Sequence, residues 1–89
     1  MCERELTVQN RAGLHTRPAA HLVKLASRFR SEIFLVKEGA AINAKSIIGV
    51  MTLAAEQGAQ LLLRAEGDDE REAADAIVEF FDARFGEES

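Results

Sequence analysis

The sequence predicts a two-layer α+β sandwich with the element order β-α-β-β-α-β-α. Three observations carry this reading. Apolar and polar residues alternate over residues 3–9 and again over residues 61–66, the period of a half-buried strand. Two segments, one from Ala19 and one from Ala73, space their apolar residues as an amphipathic helix does. Between them, Glu38-Gly39 is a turn signal joining two short β-type runs.

Taken in order, Arg4, Leu6 and Val8 alternate with Glu3, Glu5, Thr7 and Gln9, so the first strand has one inward face. Asn10 to Gly13 is a turn-rich break. Ala19, Leu22, Val23, Ala26 and Phe29 then form the inner stripe of the first helix, with Lys24 and Arg28 outside. Glu32 to Lys37 and Ala40 to Asn43 read as a hairpin. Ser46 opens a short helix over residues 47 to 53, with Gly58 as its stop. Leu61, Leu63 and Ala65 mark the fourth strand. Asp69 and Glu72 have capping-box spacing before a last helix whose face is Ala73, Ile77, Phe80, Phe81 and Arg84. Residues 86–89 are expected to fray.

Length and composition exclude several function classes. Residues 1–89 are expected to form a single domain with one core and no deep enclosed cleft. A net charge of -4 without Trp or Tyr argues against a nucleic-acid partner. Cys2 is the only cysteine, so an intrachain disulfide is excluded and a cytoplasmic protein is expected. No apolar run has the length of a membrane span, so no membrane insertion is expected.

The candidate site is Gly13-Leu14-His15-Thr16-Arg17-Pro18. Pro18 suits a first helical turn, which puts His15 at or just before a helix start. Unpaired backbone N–H groups and the positive end of the helix dipole gather there, and a phosphate is the ligand they favour. A neutral imidazole keeps the lone pair needed to attack phosphorus, and both the helix end and Arg17 disfavour the charged ring. After loading, Arg17 and the backbone N–H groups of Thr16 and Arg17 can bind the phosphate oxygens. A lone histidine at this position is otherwise an ordinary polar cap. His21 lies roughly 240° around an ideal helix from His15 and reads as a solvated surface residue. The sequence contains no Walker-type loop and no metal-ligand cluster, so neither cofactor nor metal is expected. A histidine that can carry phosphate, with no nucleotide site, points to a carrier loaded by another protein.

Lys45-Ser46-Ile47-Ile48-Gly49-Val50-Met51 is the second constellation. Ser46 is expected to be an N-cap, and a phosphate added there is tolerated by a helix start while altering whatever docks nearby. The apolar residues Ile47, Ile48, Val50, Met51 and Leu53 are too many for one stripe of a short helix. Those left outside form a docking patch that Leu14 extends, and Met51 suits an adaptable surface.

Asn10-Arg11-Ala12-Gly13-Leu14-His15-Thr16-Arg17-Pro18-Ala19 resembles the active-site signature of the HPr family. These are histidine-containing phosphocarriers of the bacterial phosphoenolpyruvate-dependent sugar phosphotransferase system. Residues 43–51 resemble that family's regulatory serine segment, and the resemblance spans essentially the whole chain. It implies an open-faced β-sandwich, a four-stranded antiparallel sheet of order 1-4-2-3 covered on one face by three helices. It implies that enzyme I loads Nδ1 of His15 and that an enzyme IIA domain unloads it, with Arg17 assisting. It implies phosphorylation of Ser46 by HPr kinase/phosphorylase, and in some lineages binding to a catabolite-control transcription factor. Leu14, Thr16, Ile47, Ile48 and Met51 match the family's docking surface. A monomer is expected, with small transient interfaces. Arg11, Arg17, Lys24, Arg28 and Lys45 surround the motifs and are expected to make a local positive face for acidic partners.

Three other readings stay open from sequence. One is a regulatory paralogue acting by protein binding, though some relatives of that kind lack the histidine this chain retains. Another is a nitrogen-type phosphotransferase carrier, against which the Lys45-Ser46-Ile47 run leans toward the sugar type. The third is a ferredoxin-like small-molecule sensor, which fold alone permits but which leaves His-Thr-Arg-Pro unexplained.

Overall fold

Alternation along the strands sends one set of side chains inward, and the helices cover that set. The computed structural model describes residues 1–87. Its elements are β1 (Cys2–Thr7), α1 (Thr16–Ala26), β2 (Glu32–Lys37), β3 (Ala40–Asn43), α2 (Ile47–Thr52), β4 (Gln60–Glu66) and α3 (Glu70–Asp82), followed by a 3-10 turn at Arg84–Gly86. The strands form one antiparallel sheet of order β1-β4-β2-β3, as the family resemblance implies. Leu6 faces Leu61 and Leu35 faces Leu63 across the ladders, so these inward residues meet in register. With Leu22, Ile33, Val50, Ile77 and Phe81 they make the core between sheet and helices. The α1 helix packs against both α2 and α3.

The β2–β3 hairpin turns at Glu38 and Gly39, both with positive φ. That is the backbone of a two-residue turn matching the twist of antiparallel strands. Four expectations from sequence are corrected. Gly58 does not stop α2, which ends at Thr52 with Leu53 as C-cap and Ala54 beyond it in the left-handed region at φ 48°. The backbone N–H of Gly58 instead donates to the Val8 carbonyl, tying the following loop to the end of the first strand segment. The Asp69–Glu72 capping box does not form, because the Asp69 carboxylate turns toward the α1–β2 connection. There it accepts from the backbone N–H groups of Arg30 and Ser31 and from the Ser31 hydroxyl. These bonds, the Ser31 hydroxyl first and the Arg30 N–H next, lower the Asp69 carboxyl to about 2.

Arg84 does not continue the inner face of α3. It is exposed and lies past the helix end at Asp82. Nor do Gly86 and Glu87 fray; Glu88 and Ser89 lie outside the described residues. Arg84 and Phe85 both take positive φ, 55° and 59°, which folds the chain back over the core. Phe85 is buried there, with its ring centroid 4.9 Å from Phe81 and 5.2 Å from Phe80. Burying such a ring contributes about 3–5 kcal/mol, set against a cost on the order of 1–3 kcal/mol for each strained residue.

Candidate functional site

The loop before α1 is closed by its own residues. Asn10 is fully buried, and its side-chain Nδ2 donates to the Gly13 carbonyl at 2.9 Å. The Gly13 N–H returns a bond to the Asn10 carbonyl. Gly13 has φ +72°, and a Cβ there would stand 2.6 Å from the Ala55 carbonyl oxygen, so only glycine fits without displacement. Leu14 then donates its backbone N–H to that same oxygen.

This closure delivers His15 to the helix start. His15 is the N-cap of α1 with extended backbone, and its carbonyl accepts the first helical bond, from Ala19. Thr16, Arg17 and Pro18 follow as the first turn. Pro18 has no N–H, so the free donors of that turn are those of Thr16 and Arg17. The His15 side chain is 41 % exposed and that of Arg17 70 % exposed. Both are accessible to a partner.

The third group at this site was not expected from sequence. Glu87 reaches back from the C-terminal turn, and its Oε2 lies 2.9 Å from Nε2 of His15. Arg17 Nη2 donates to the same oxygen at 3.3 Å, while Asn10 Nδ2 donates to Oε1 at 2.7 Å. Burial acts to raise the Glu87 carboxyl, but the hydrogen bonds from Asn10, His15 and Arg17 and the attraction of His15 outweigh it and hold the carboxyl low. No local pattern in the sequence marks Glu87; the burial of Phe85 two residues earlier brings it to the site.

Ser46 is the N-cap of α2, and its Oγ accepts from the Gly49 N–H at 3.1 Å. The apolar residues behind it separate. Val50 and Leu53 enter the core, while Ile47 and Met51 are exposed and Ile48 most of all, at 75 %. Thr16 is exposed as well. Leu14 is a correction: it is only 5 % exposed and belongs to the core, because its neighbour's turn and its bond to Ala55 draw it inward. It does not extend the outer patch. Among the cations, Arg11, Arg17, Lys24 and Arg28 are exposed. Lys45 is half-buried with Nζ bound to the Phe29 carbonyl at 2.8 Å, so it braces the α1–β2 connection instead of facing outward. His21 is exposed and lines an open cleft with Lys24, Leu25, Arg28 and Phe80, away from the His15 cluster.

Comparison with known proteins bears out the fold. Residues 2–83 match the family model for the PTS HPr component phosphorylation site. The phosphocarrier protein HPr of Xylella fastidiosa strain Temecula1 is 48% identical over 89 residues, covering all of both chains. An HPr-like protein Crh from Halalkalibacterium halodurans is 46% identical over 82 residues, 92% of this chain and 98% of that one. Among solved structures, HPr-C-His from Thermoanaerobacter tengcongensis superposes with a TM-score of 0.97 at 47% identity, over the full length of both chains.

Proposed function

This chain belongs to the PTS HPr family, a phosphocarrier and not an enzyme, and we propose that it carries the phosphoryl group on Nδ1 of His15. Phosphorylated enzyme I loads it, and a sugar-specific enzyme IIA domain takes the group onward. The observation that carries this reading is the placement of an accessible imidazole as N-cap of α1. The free N–H groups of Thr16 and Arg17 and the Arg17 guanidinium lie beside it. The site already holds an anion, since Arg17 and His15 both bind the Glu87 carboxylate. A phosphate presents oxygens to the same kind of donors.

Transfer of a phosphoryl group to and from His15 needs little beyond positioning and charge stabilisation. The exposed residues Thr16, Ile47, Ile48 and Met51 supply the docking surface in this reading, and a small interface suits fast exchange of partners. Ser46, as the cap of the helix that bears the docking residues, is the proposed regulatory position. HPr kinase/phosphorylase would act on it, and a catabolite-control transcription factor is a partner of the modified form. Two added charges there would oppose docking by partners with acidic faces. Among the described residues no helix is long and apolar enough to cross a membrane, and the proposed location is the cytoplasm.

A second reading, a regulatory paralogue, is favoured by the identity with the HPr-like protein Crh. Incubation with phosphoenolpyruvate and enzyme I, followed by intact-mass measurement, separates the two. The carrier reading expects one acid-labile phosphate on the wild type and none on His15→Ala. Equal loading of both proteins would refute it, and no loading of either would favour the binding-module reading.

A further inference from the structure

We propose that Glu87 is a positioning residue for phosphoryl transfer: its carboxylate keeps the His15 proton on Nε2 and so leaves the lone pair on Nδ1. This rests on the reading of His15 as the phosphoryl acceptor. An ionised carboxylate has no proton to give and can only accept. Nε2 of His15, 2.9 Å from Oε2, must therefore be the donor of that bond. A neutral imidazole has one N–H, so fixing it at Nε2 assigns the free lone pair to Nδ1.

The carboxylate is itself held on one side by a rigid group. Asn10 is fully buried, and its Nδ2 has two acceptors, the Gly13 carbonyl and Glu87 Oε1. That pair of acceptors fixes the orientation of the amide. Its bond to Glu87 is the shortest of the cluster, at 2.7 Å. On the C-terminal side, Phe85 anchors the chain two residues before Glu87. The relation is thus more than a surface ion pair: the Glu87 side chain is 12 % exposed. Arg17, by contrast, is free to swing, being mostly exposed and bound at 3.3 Å. It can leave Oε2 for a phosphate oxygen while Asn10 retains the carboxylate.

In the transfer step the Nδ1 lone pair attacks the phosphorus of the phosphoryl group on the donor protein. The Nδ1–P bond forms, the donor's bond to phosphorus breaks, and its electron pair stays on the donor atom. The proton remains on Nε2, and the positive charge that the accepting ring gains is shared with that N–H. Glu87 faces that charge and stabilises it. Unloading runs the same sequence in reverse.

The test compares Glu87→Gln with Glu87→Ala. Both remove the charge, but they differ in hydrogen bonding. In Glu87→Gln the amide oxygen faces the Asn10 donor, which turns the amide NH2 toward Nε2 of His15. That NH2 needs an acceptor, so the proton moves to Nδ1 and blocks the nucleophile. Long-range 1H–15N spectra of the free protein at alkaline pH report the tautomer, and initial loading rates from phosphorylated enzyme I report the consequence. The expected result is a predominantly Nε2–H ring in the wild type and a shift toward Nδ1–H in Glu87→Gln. Loading of Glu87→Gln is expected to be about tenfold slower, a difference of 1.36 kcal/mol in barrier. Glu87→Ala is expected to lose less, since its ring is left to water. Wild-type tautomer and rate in Glu87→Gln, with normal loading of the wild type, would overturn the proposal alone. Failure of the wild type to load would sink the carrier reading and this inference with it.

Discussion

His15 and Glu87 are 72 residues apart in the chain, yet Nε2 of one lies 2.9 Å from Oε2 of the other. The fold brings them together from opposite ends. Asn10 closes the loop that delivers the histidine and also holds the glutamate. Asn10→Asp replaces the shared donor with an acceptor facing Glu87 and the Gly13 carbonyl. That change is expected to destabilise the protein by at least about 2 kcal/mol at neutral pH, through buried groups left unpaired. Chemical denaturation of the variant against the wild type checks this, and recovery is expected at acid pH as the two carboxyls come to share a proton.

Ser46 separates capping from regulation. Its Oγ accepts from Gly49, so Ser46→Ala is expected to cost about 1 kcal/mol of stability. Ser46→Asp keeps a good N-cap and adds negative charge at the helix start, so its melting temperature is expected to stay at or above that of the wild type. Loading by enzyme I should nevertheless slow in Ser46→Asp and remain near normal in Ser46→Ala. Thermal melts and loading rates on the same samples distinguish the two roles.

Ile48 is 75 % exposed on α2, while its neighbour Val50 is in the core. Ile48→Glu should therefore change stability by no more than about 0.5 kcal/mol. If the exposed face of α2 receives partners, the same variant should raise the apparent KM for enzyme I about tenfold, the effect of losing roughly 1.4 kcal/mol of docking free energy. Val50→Ala should do the opposite, lowering stability and leaving the KM near its wild-type value.

Local patterns were legible wherever one face of an element meets the core. The alternation of Leu61, Leu63 and Ala65 and the helical spacing of Ala19, Leu22 and Ala26 read directly as buried faces. His15 at a helix start followed from Pro18 and the spacing behind it. The structure departs from the local pattern where a distant group supplies the partner. Asp69 has the spacing of a cap, but Arg30 and Ser31, 39 and 38 residues earlier, take its carboxylate. Leu14 directly precedes the exposed His15, Thr16 and Arg17, yet the close approach of Gly13 to Ala55 carries it inward. Gly58 looked like a helix stop, but Ala54 takes the left-handed conformation instead. Glu87 is not legible because tertiary burial of Phe85, not any local pattern, brings it to the site.

Asp69 makes stability pH-dependent. Its carboxyl falls from 3.8 to about 2 in the folded protein, with the Ser31 hydroxyl as the main cause. A group lowered on folding stabilises the protein above its unfolded value, and that contribution is lost as pH falls through the folded value. Stability should therefore decline between about pH 4 and pH 2. Asp69→Asn is expected to be less stable than the wild type at neutral pH and to show a flatter decline in that window. Urea midpoints measured across it decide the matter.

The most direct test of the carrier is where the phosphorus goes. Protein labelled with 15N-histidine, loaded from phosphoenolpyruvate through enzyme I, can be read by phosphorus–nitrogen coupling. The account predicts coupling to Nδ1 of His15 alone, with the Nε2 proton retained. Coupling to Nε2 of His15, or to His21, would contradict it.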